Sequence, residues 1–445
     1  MALTHRDIQD LHSVVRDWKD KEQGTRKSIT FGGPEYEIIN SENSATEAIA
    51  VAPVVNDKAD YSKTIVLTAG TQDKINPLKN SLGQMGNTVK SVIGAADAAY
   101  GSGLSPQYDT LDNFFAETQR RLEEKGVEGG QIWYSSAHSQ GGVPNVKLSV
   151  KYRVKEIVNF YDWGAKKAVD SGHFTKSELK YLEKHAIIYS DSGKEITGCD
   201  GNGGAIPYGK VRVFEGKSHS VQTPDLKGNN FDFDKYIKEN KFVSGMTEKQ
   251  VRKIAEYKAK NFKPNLALSN YGLEDNFDRP EHYIKEYLDN YGPFAPEPTK
   301  QDLISLNIKQ IKELKDSLKT SSGSKKISLR EELVRVSAET TKLQAEVYEE
   351  EVKSKIESEK EKISQKISSL KTEAYSIARH LPSSEVEVLL SELSLDTAWN
   401  SGKETKTITA ASDYKNKMSQ ISDNLNKVAD RIIESDQIGA KIFSN

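Results

Sequence analysis

The chain reads as an α/β domain followed by an all-α, elongated helical-bundle domain. Two patterns say so. Between about residue 30 and residue 235, short β-branched runs alternate with helix-like segments, an order that builds a mostly parallel sheet with helices on both faces. Beyond Pro298 proline and aromatic residues nearly vanish, and Lys, Glu, Ser, Leu and Ile dominate. Apolar residues there recur at three- and four-residue steps, the spacing of long amphipathic helices.

The elements follow in order. Thr4 caps an amphipathic N-terminal helix that puts Ile8, Leu11, Val14, Val15 and Trp18 on one face. Tyr36–Ile39, Ile49–Val55 and Thr64–Thr68 read as strands, the last running into Ala69-Gly70-Thr71. Leu82 to Tyr100 holds no proline and has helical spacing at Met85, Val89, Val92 and Ile93, although Gly83, Gly86 and Gly94 weaken it. Tyr108–Lys125 is an amphipathic helix with Leu111, Phe114, Phe115, Thr118 and Leu122 on one face. Further strands are expected at 131–137, 156–161, 186–189 and 211–214. From about residue 230 a Tyr-rich, charged helical extension runs to residue 291, with helices near 248–262 and 282–291. Gly292-Pro293-Phe294-Ala295-Pro296-Glu297-Pro298 is a stiff linker. The domains are therefore 1–291 and 299–445, joined by 292–298. In the second, the stripe runs Leu329, Leu333, Val336, Leu343, Val347, Ile356, Ile363, Ile367, Leu370, Ala374, Ile377 and resumes at Met418, Ile421, Leu425, Val428, Ile432. Breaks fall at His380-Leu381-Pro382 and Trp399-Asn400-Ser401-Gly402.

Composition narrows the function. Net charge is −2, which gives no reason to expect a nucleic-acid partner. Cys199 is the only cysteine, so an internal disulfide and a multi-Cys zinc site are both impossible. No apolar run approaches the roughly 18 residues of a transmembrane helix. The N-terminus lacks the apolar region of a cleaved signal peptide, which points to the cytoplasm unless export uses a signal-free route.

The chemistry gathers around Tyr134-Ser135-Ser136-Ala137-His138-Ser139-Gln140-Gly141-Gly142. A strand runs into a small residue, a serine flanked by His and Gln, and two glycines. This is the pattern of a nucleophile elbow, G-x-S-x-G, with Ala137 in place of the first glycine. Small residues two before and two after let the neighbouring backbone approach a serine on a strained turn. A serine nucleophile needs a base, an orienting acid and an oxyanion hole. In α/β-hydrolases the order is Ser, acid, His. His219 lies in a Gly-containing turn after the last strand and is the candidate base, whereas His173, His185 and His282 fall at or near helix ends. Asp191 ends a strand and is the candidate acid, with Asp162 and Asp200 as rivals. The backbone N–H of Gln140 and that of Thr71, with Gln72 second, are the candidate oxyanion donors. The steps need no metal or organic cofactor. The loop Asp200-Gly201-Asn202-Gly203-Gly204 lacks the closing glutamate of an EF-hand.

Thr64-Ile65-Val66-Leu67-Thr68-Ala69-Gly70-Thr71 and Ala137-His138-Ser139-Gln140-Gly141-Gly142 resemble the oxyanion segment and the Gly-His-Ser-x-Gly-Gly elbow of the class 3 lipase group. With Asp191 and His219 the resemblance covers roughly residues 30–225, and it implies an α/β-hydrolase fold and a carboxylic ester or phospholipid substrate. A signal-less lipase domain followed by a long helical one also resembles the type VII-secreted lipase toxins of Gram-positive bacteria with a reversed LXG-type targeting domain. That layout implies phospholipase A activity, antibacterial toxicity, small helical partner proteins on residues 299–445, and an immunity protein on the lipase domain. It implies secretion without a cleaved signal, from a cytoplasmic precursor. Trp399-Asn400-Ser401-Gly402 resembles the W-x-G turn of secreted helical hairpins with one residue added. The competing readings are an intracellular esterase whose helices oligomerise it, and an inactive hydrolase used as a binding module. A full Ser, Asp and His set in order argues against the latter.

Overall fold

The computed structural model describes residues 3–30, 33–71, 82–101, 103–192, 206–216, 218–263, 276–320 and 323–443. The chain divides into two compact units, Met1–Pro296 and Glu297–Asn445. The division falls inside the Gly- and Pro-rich stretch, where neither helix nor ladder propagates easily.

The first unit is built on a nine-stranded sheet. Its strands are β1 (Arg26–Ser28), β2 (Glu35–Asn43), β3 (Glu47–Val55), β4 (Lys58–Ala59), β5 (Ile65–Thr68), β6 (Tyr134–Ala137), β7 (Glu156–Phe160), β8 (Ala186–Asp191) and β9 (Lys210–Phe214). The order is β1-β2-β3-β5-β6-β7-β8-β9, with β4 paired to β3. Strands β5 to β9 are parallel, while β1 to β5 join antiparallel. The antiparallel half follows from loop length. Only Ser44, Ala45 and Thr46 connect β2 to β3, far too short for a crossover. A separate hairpin pairs β10 (Leu226–Lys227) with β11 (Asn230–Phe231).

Alternation along each strand sorts side chains to two faces. Ile38, Val51, Ile65 and Leu67 enter one core with Ile8, Leu11 and Trp18 of the N-terminal segment. Ile39, Ala50 and Val66 enter the other with Leu111, Phe115 and Leu122 of the helix Tyr108–Glu124. The N-terminal helix forms over His5–His12, and Thr4 and Asp7 close a capping box at its start. The extension expected from residue 230 folds onto the first core through the helices Glu248–Lys260 and Pro280–Tyr291. Tyr287 anchors it. Its ring stacks on Tyr291 and Phe294, and its hydroxyl accepts a 3.1 Å hydrogen bond from the Met246 N–H.

The second unit holds three long helices, Lys300–Thr320, Gly323–Ile377 and Ser401–Phe443. The middle one has 55 residues and is roughly 80 Å long at about 1.5 Å per residue. Neighbours run antiparallel, as cross-links show: Lys300 pairs with Glu346 and Gln310 with Glu332, then Arg335 with Asp430, Glu349 with Lys415 and Lys360 with Glu404. The break expected at Pro382 is present, followed by the short helix Ser383–Leu389. Trp399 ends the next short helix, and its indole donates to Glu404 at 2.6 Å. Among the described residues no helix is long and apolar enough to cross a membrane.

Truncating Tyr287 to Ala removes a buried aromatic ring and leaves the Met246 amide without its partner. Such a change costs about 3–5 kcal/mol. Thermal unfolding of the isolated first unit should therefore move down by several degrees at least. An unchanged midpoint would mean that the extension does not contribute to the unit's stability.

Candidate active site

Strand β6 ends at Ala137, and the chain turns through Ser139 into the helix Gly142–Lys151. Ser139 takes φ 55°, in the left-handed region that L-residues avoid. The turn is tight because bare backbone is needed around it. A Cβ on Gly141 would lie 2.9 Å from Thr68 Cγ2, and one on Gly142 only 2.2 Å from Asp162 Oδ1. On the facing loop, a Cβ on Gly70 would lie 2.5 Å from His138 Nδ1 and 3.1 Å from Ser139 Cβ. Ala137 is fully buried, so the methyl that replaces the expected glycine hydrogen finds room.

Ser139 Oγ lies 2.8 Å from His219 Nε2. Two groups 80 residues apart are brought together at the C-terminal edge of the parallel strands. Asp191 sits at the end of β8, buried, and accepts a 2.9 Å hydrogen bond from the Gly216 N–H. Its carboxylate fills the place a Cβ on Gly216 would take, 2.5 Å from Oδ2. It therefore holds the start of the loop that carries His219. Asp162 is fully buried against Gly142, at the start of the helix that follows the turn. It accepts from Tyr208 Oη at 2.9 Å and Asn159 Nδ2 at 3.1 Å. Asp200 and Gln72 lie outside the described residues, as does the rest of the loop 200–204.

Gly70 and Thr71 follow β5, and Gln140 follows Ser139, so both candidate oxyanion donors border the same turn. The Gln140 side chain donates to Ser91 Oγ at 2.6 Å, tying the turn to the helix Leu82–Tyr100. Arg16 holds the facing loop. Its Nη2 donates to the Thr71 carbonyl at 2.8 Å, while its Nε donates to Glu47 at 3.0 Å. Thr71, Ser139 and His219 line one cleft of about 460 Å³ with His12, Arg16, His138 and Gln222. Of the other histidines, the His185 Nδ1 bonds to the Lys155 carbonyl at 2.9 Å, the His173 carbonyl accepts from Lys147, and His282 packs on Phe277. None of these three lines the cleft.

Sequence reasoning missed Arg16, His12, His138 and Tyr161. His138 precedes the candidate serine with no sequence pattern that assigns it a role, and the short helix Val15–Trp18 that carries Arg16 gives no sign that it reaches the cleft. His12 bonds through Nε2 to Ser136 Oγ at 2.7 Å, and Ser136 in turn donates to the Val158 carbonyl. Burial holds the His12 imidazole down at about 3. Burial, then repulsion from His219 and His12, holds His138 well below the ordinary histidine range. Both therefore stay neutral beside the candidate base. Chemically, a hydroxyl on a strained turn with an imidazole in hydrogen-bond reach is the arrangement a serine nucleophile needs.

Burial pushes the Asp162 carboxyl up to about 7, with the Asn159 and Tyr208 bonds opposing the rise. The unfolded value is about 3.9. A raised acid favours the folded state most below about pH 4, and that contribution fades as pH climbs through about 7. Asp162→Asn removes the titration. The variant should therefore gain stability relative to the natural protein between pH 5 and pH 8, by up to about 3 kcal/mol. Melting temperatures of the pair across that range check this, and a constant offset would show that Asp162 does not titrate there.

No protein-family model, curated protein or solved structure matches this chain, so the reading of the site rests on its geometry.

Proposed function

We propose that the first unit is a serine ester hydrolase of the α/β-hydrolase type that acts on lipid esters as a phospholipase A. One observation carries this reading: Ser139 is held at φ 55° with its Oγ 2.8 Å from His219 Nε2. In the proposed reaction His219 takes the Ser139 proton as Oγ attacks the ester carbonyl. The Thr71 and Gln140 amides receive the oxyanion. The tetrahedral intermediate collapses, and His219 passes its proton to the leaving alcohol. Water, deprotonated by His219, then attacks the acyl-serine, and collapse returns the proton to Ser139 and releases the acid. Asp191 keeps the imidazole tautomer.

A lipid substrate is supported by the helix that Gln140 ties to the turn. Val89, Val92 and Ile93 are exposed on it, at the three- and four-residue steps that form one face. A lipid surface is a natural counterpart to such a face beside an ester-cleaving serine.

The wider proposal is an exported toxin whose helical unit recruits small helical proteins and whose lipase unit is held by an immunity protein. It rests on the order of the two units. It is supported by apolar residues that the helices leave open, among them Ile377, Val388 and Leu389, each more than two-thirds exposed. An intracellular esterase that oligomerises through the same residues is the alternative.

Ser139→Ala should lower hydrolysis of a short-chain ester and of phospholipid vesicles by at least about 10³-fold with the fold intact. Unchanged turnover would remove Ser139 from the mechanism. Asp191→Asn should lose more in kcat than Asp162→Asn, since the wrong imidazole tautomer stops proton transfer. The reverse ranking would move the orienting role to Asp162.

A chain ending at Pro298 should hydrolyse esters at a rate close to that of the full chain. Residues 299–445 should be helical alone and bind small helical proteins encoded beside the gene. A folded but inactive truncation would place the helices in the active site, and a helical fragment that only self-associates would favour the esterase alternative.

A further inference from the structure

His219 lies on a loop, and a loop does not by itself hold an imidazole to the tolerance that proton transfer demands. Asp191 accepts from the loop's Gly216 N–H, two residues before Ser218. Two further side chains close the grip. Tyr161 Oη donates to the Ser218 carbonyl at 2.8 Å, and His138 Nε2 donates to the His219 carbonyl at 3.1 Å. The two rings also wall the base. The His219 ring centre is 4.9 Å from that of His138 and 4.9 Å from that of Tyr161. Tyr161 and His138 meet edge to face at 6.0 Å, so the wall is itself braced.

Tyr161 reaches this place by an unusual backbone. It is fully buried, follows β7 and takes φ 58°, left-handed like Ser139. An aromatic residue at positive φ is strained, and strain of about 1–3 kcal/mol persists only where the surroundings hold it. Here the Tyr161 N–H donates to the Tyr189 carbonyl at 2.8 Å, and the ring packs edge-on against Phe214. His138 needs no strain, because it sits one residue before Ser139. The nucleophile's own turn thus also carries a group that holds the base's loop.

We propose that Tyr161 and His138 are positioning residues for His219: their donors grip the Ser218 and His219 carbonyls and their rings fix the imidazole against Ser139. The proposal rests on the serine-hydrolase reading above. It extends that reading from Asp191 to two residues that take no part in the proton transfer itself. The neutrality of His138 suits the role. Its ring lies against the one that gains a proton, and a second cation there would oppose that gain.

Tyr161→Phe is the cleanest test, since it keeps the ring and deletes the donor. Thr223 Oγ1 still donates to the Ser218 carbonyl at 2.9 Å, so the variant should fold. Expected is a fall in kcat of about 10- to 100-fold with KM unchanged, the size of loss that a slightly misplaced catalytic group gives. His138→Leu should lose a similar factor, and His138→Gln, which keeps an N–H donor, should recover part of it. The deciding measurement repeats both substitutions in a His219→Ala background. If Tyr161 and His138 act through His219, they should cost nothing further there. Equal losses with and without His219 would overturn the proposal while the hydrolase reading stands. Full activity of His219→Ala alone would instead overturn the hydrolase reading, and the positioning role with it.

Discussion

The φ of 55° at Ser139 is the constraint around which the rest of this unit is arranged. Left-handed backbone at a non-glycine residue costs about 1–3 kcal/mol and does not survive in a free loop. Three backbone bonds hold it. The His138 N–H donates to the Thr68 carbonyl at 3.2 Å, the Gly141 N–H to His138 at 3.1 Å, and the Trp163 N–H to Ser139 itself at 3.1 Å. These tie the turn to β5 before it and to the segment after β7. The strain is sterically possible only because Gly70, Gly141 and Gly142 carry no side chains. Each would otherwise place a Cβ under 3.0 Å from a neighbour. Given the turn, the Gly142–Lys151 helix must leave behind the sheet, and the serine hydroxyl must face the loops of β5 and β9.

Below the turn the sheet gives up part of its own hydrogen bonding. The β6–β7 ladder pairs Tyr134 with Glu156 and Ser135 with Ile157, then resumes at a single bridge between His138 and Phe160. In the gap, the Asn159 side chain stands in for it. Oδ1 accepts from the Ala137 N–H at 2.9 Å and from Asn145 Nδ2 at 2.9 Å, and Nδ2 donates to the Gly142 carbonyl at 3.1 Å. One amide therefore satisfies the end of β6 and the start of the Gly142–Lys151 helix together. With Asp162 Oδ2 taking the second Nδ2 hydrogen at 3.1 Å, both ends of the Asn159 amide are fully used, which fixes its geometry. The same low-polarity setting keeps His12 and His138 neutral and drives Asp162 toward its protonated form.

What the sequence made legible was local and patterned. The β-branched apolar runs at Thr64–Thr68 and Glu156–Tyr161 marked buried strands, and the helices at 108–125 and 82–100 were found within a residue. Ser139 and His219 were legible because glycine spacing and chain order encode them. The antiparallel half of the sheet was not called from the three-residue β2–β3 loop, and β1, β4, β10 and β11, of two or three residues each, offer no period to read. Arg16, His12 and Tyr161 were illegible for another reason. Each reaches the site through tertiary packing over long chain separations, as the Arg16 bond to Thr71 shows. In the helical unit the stripe was only partly a core. Val336 and Ile367 are buried, but Ile421 and Val428 are about half exposed, and Ala411, Ser422 and Ala429 are buried on the last helix instead. Close helix approach favours small residues, which hydropathy periodicity undervalues.

The two units solve burial differently, and that bears on the division of labour between them. The sheet presents two faces, both covered, and both of its apolar clusters are built from residues before Pro296. Such a unit has enough interior to hold a strained turn and a neutral histidine pair. Three long helices have one seam each to share and no second layer. Charge pairs such as Lys360 with Glu404 and Arg335 with Asp430 set the register of that seam along its length. Surface pairs contribute little stability, typically below about 1 kcal/mol. A seam that relies on them, with large apolar side chains left in water, is poorly suited to positioning a catalytic group within an ångström. It is well suited to a surface that another helix completes. On the proposed function, the chemistry would fall where the backbone is held against its preference, and binding where the helices still have apolar surface to bury.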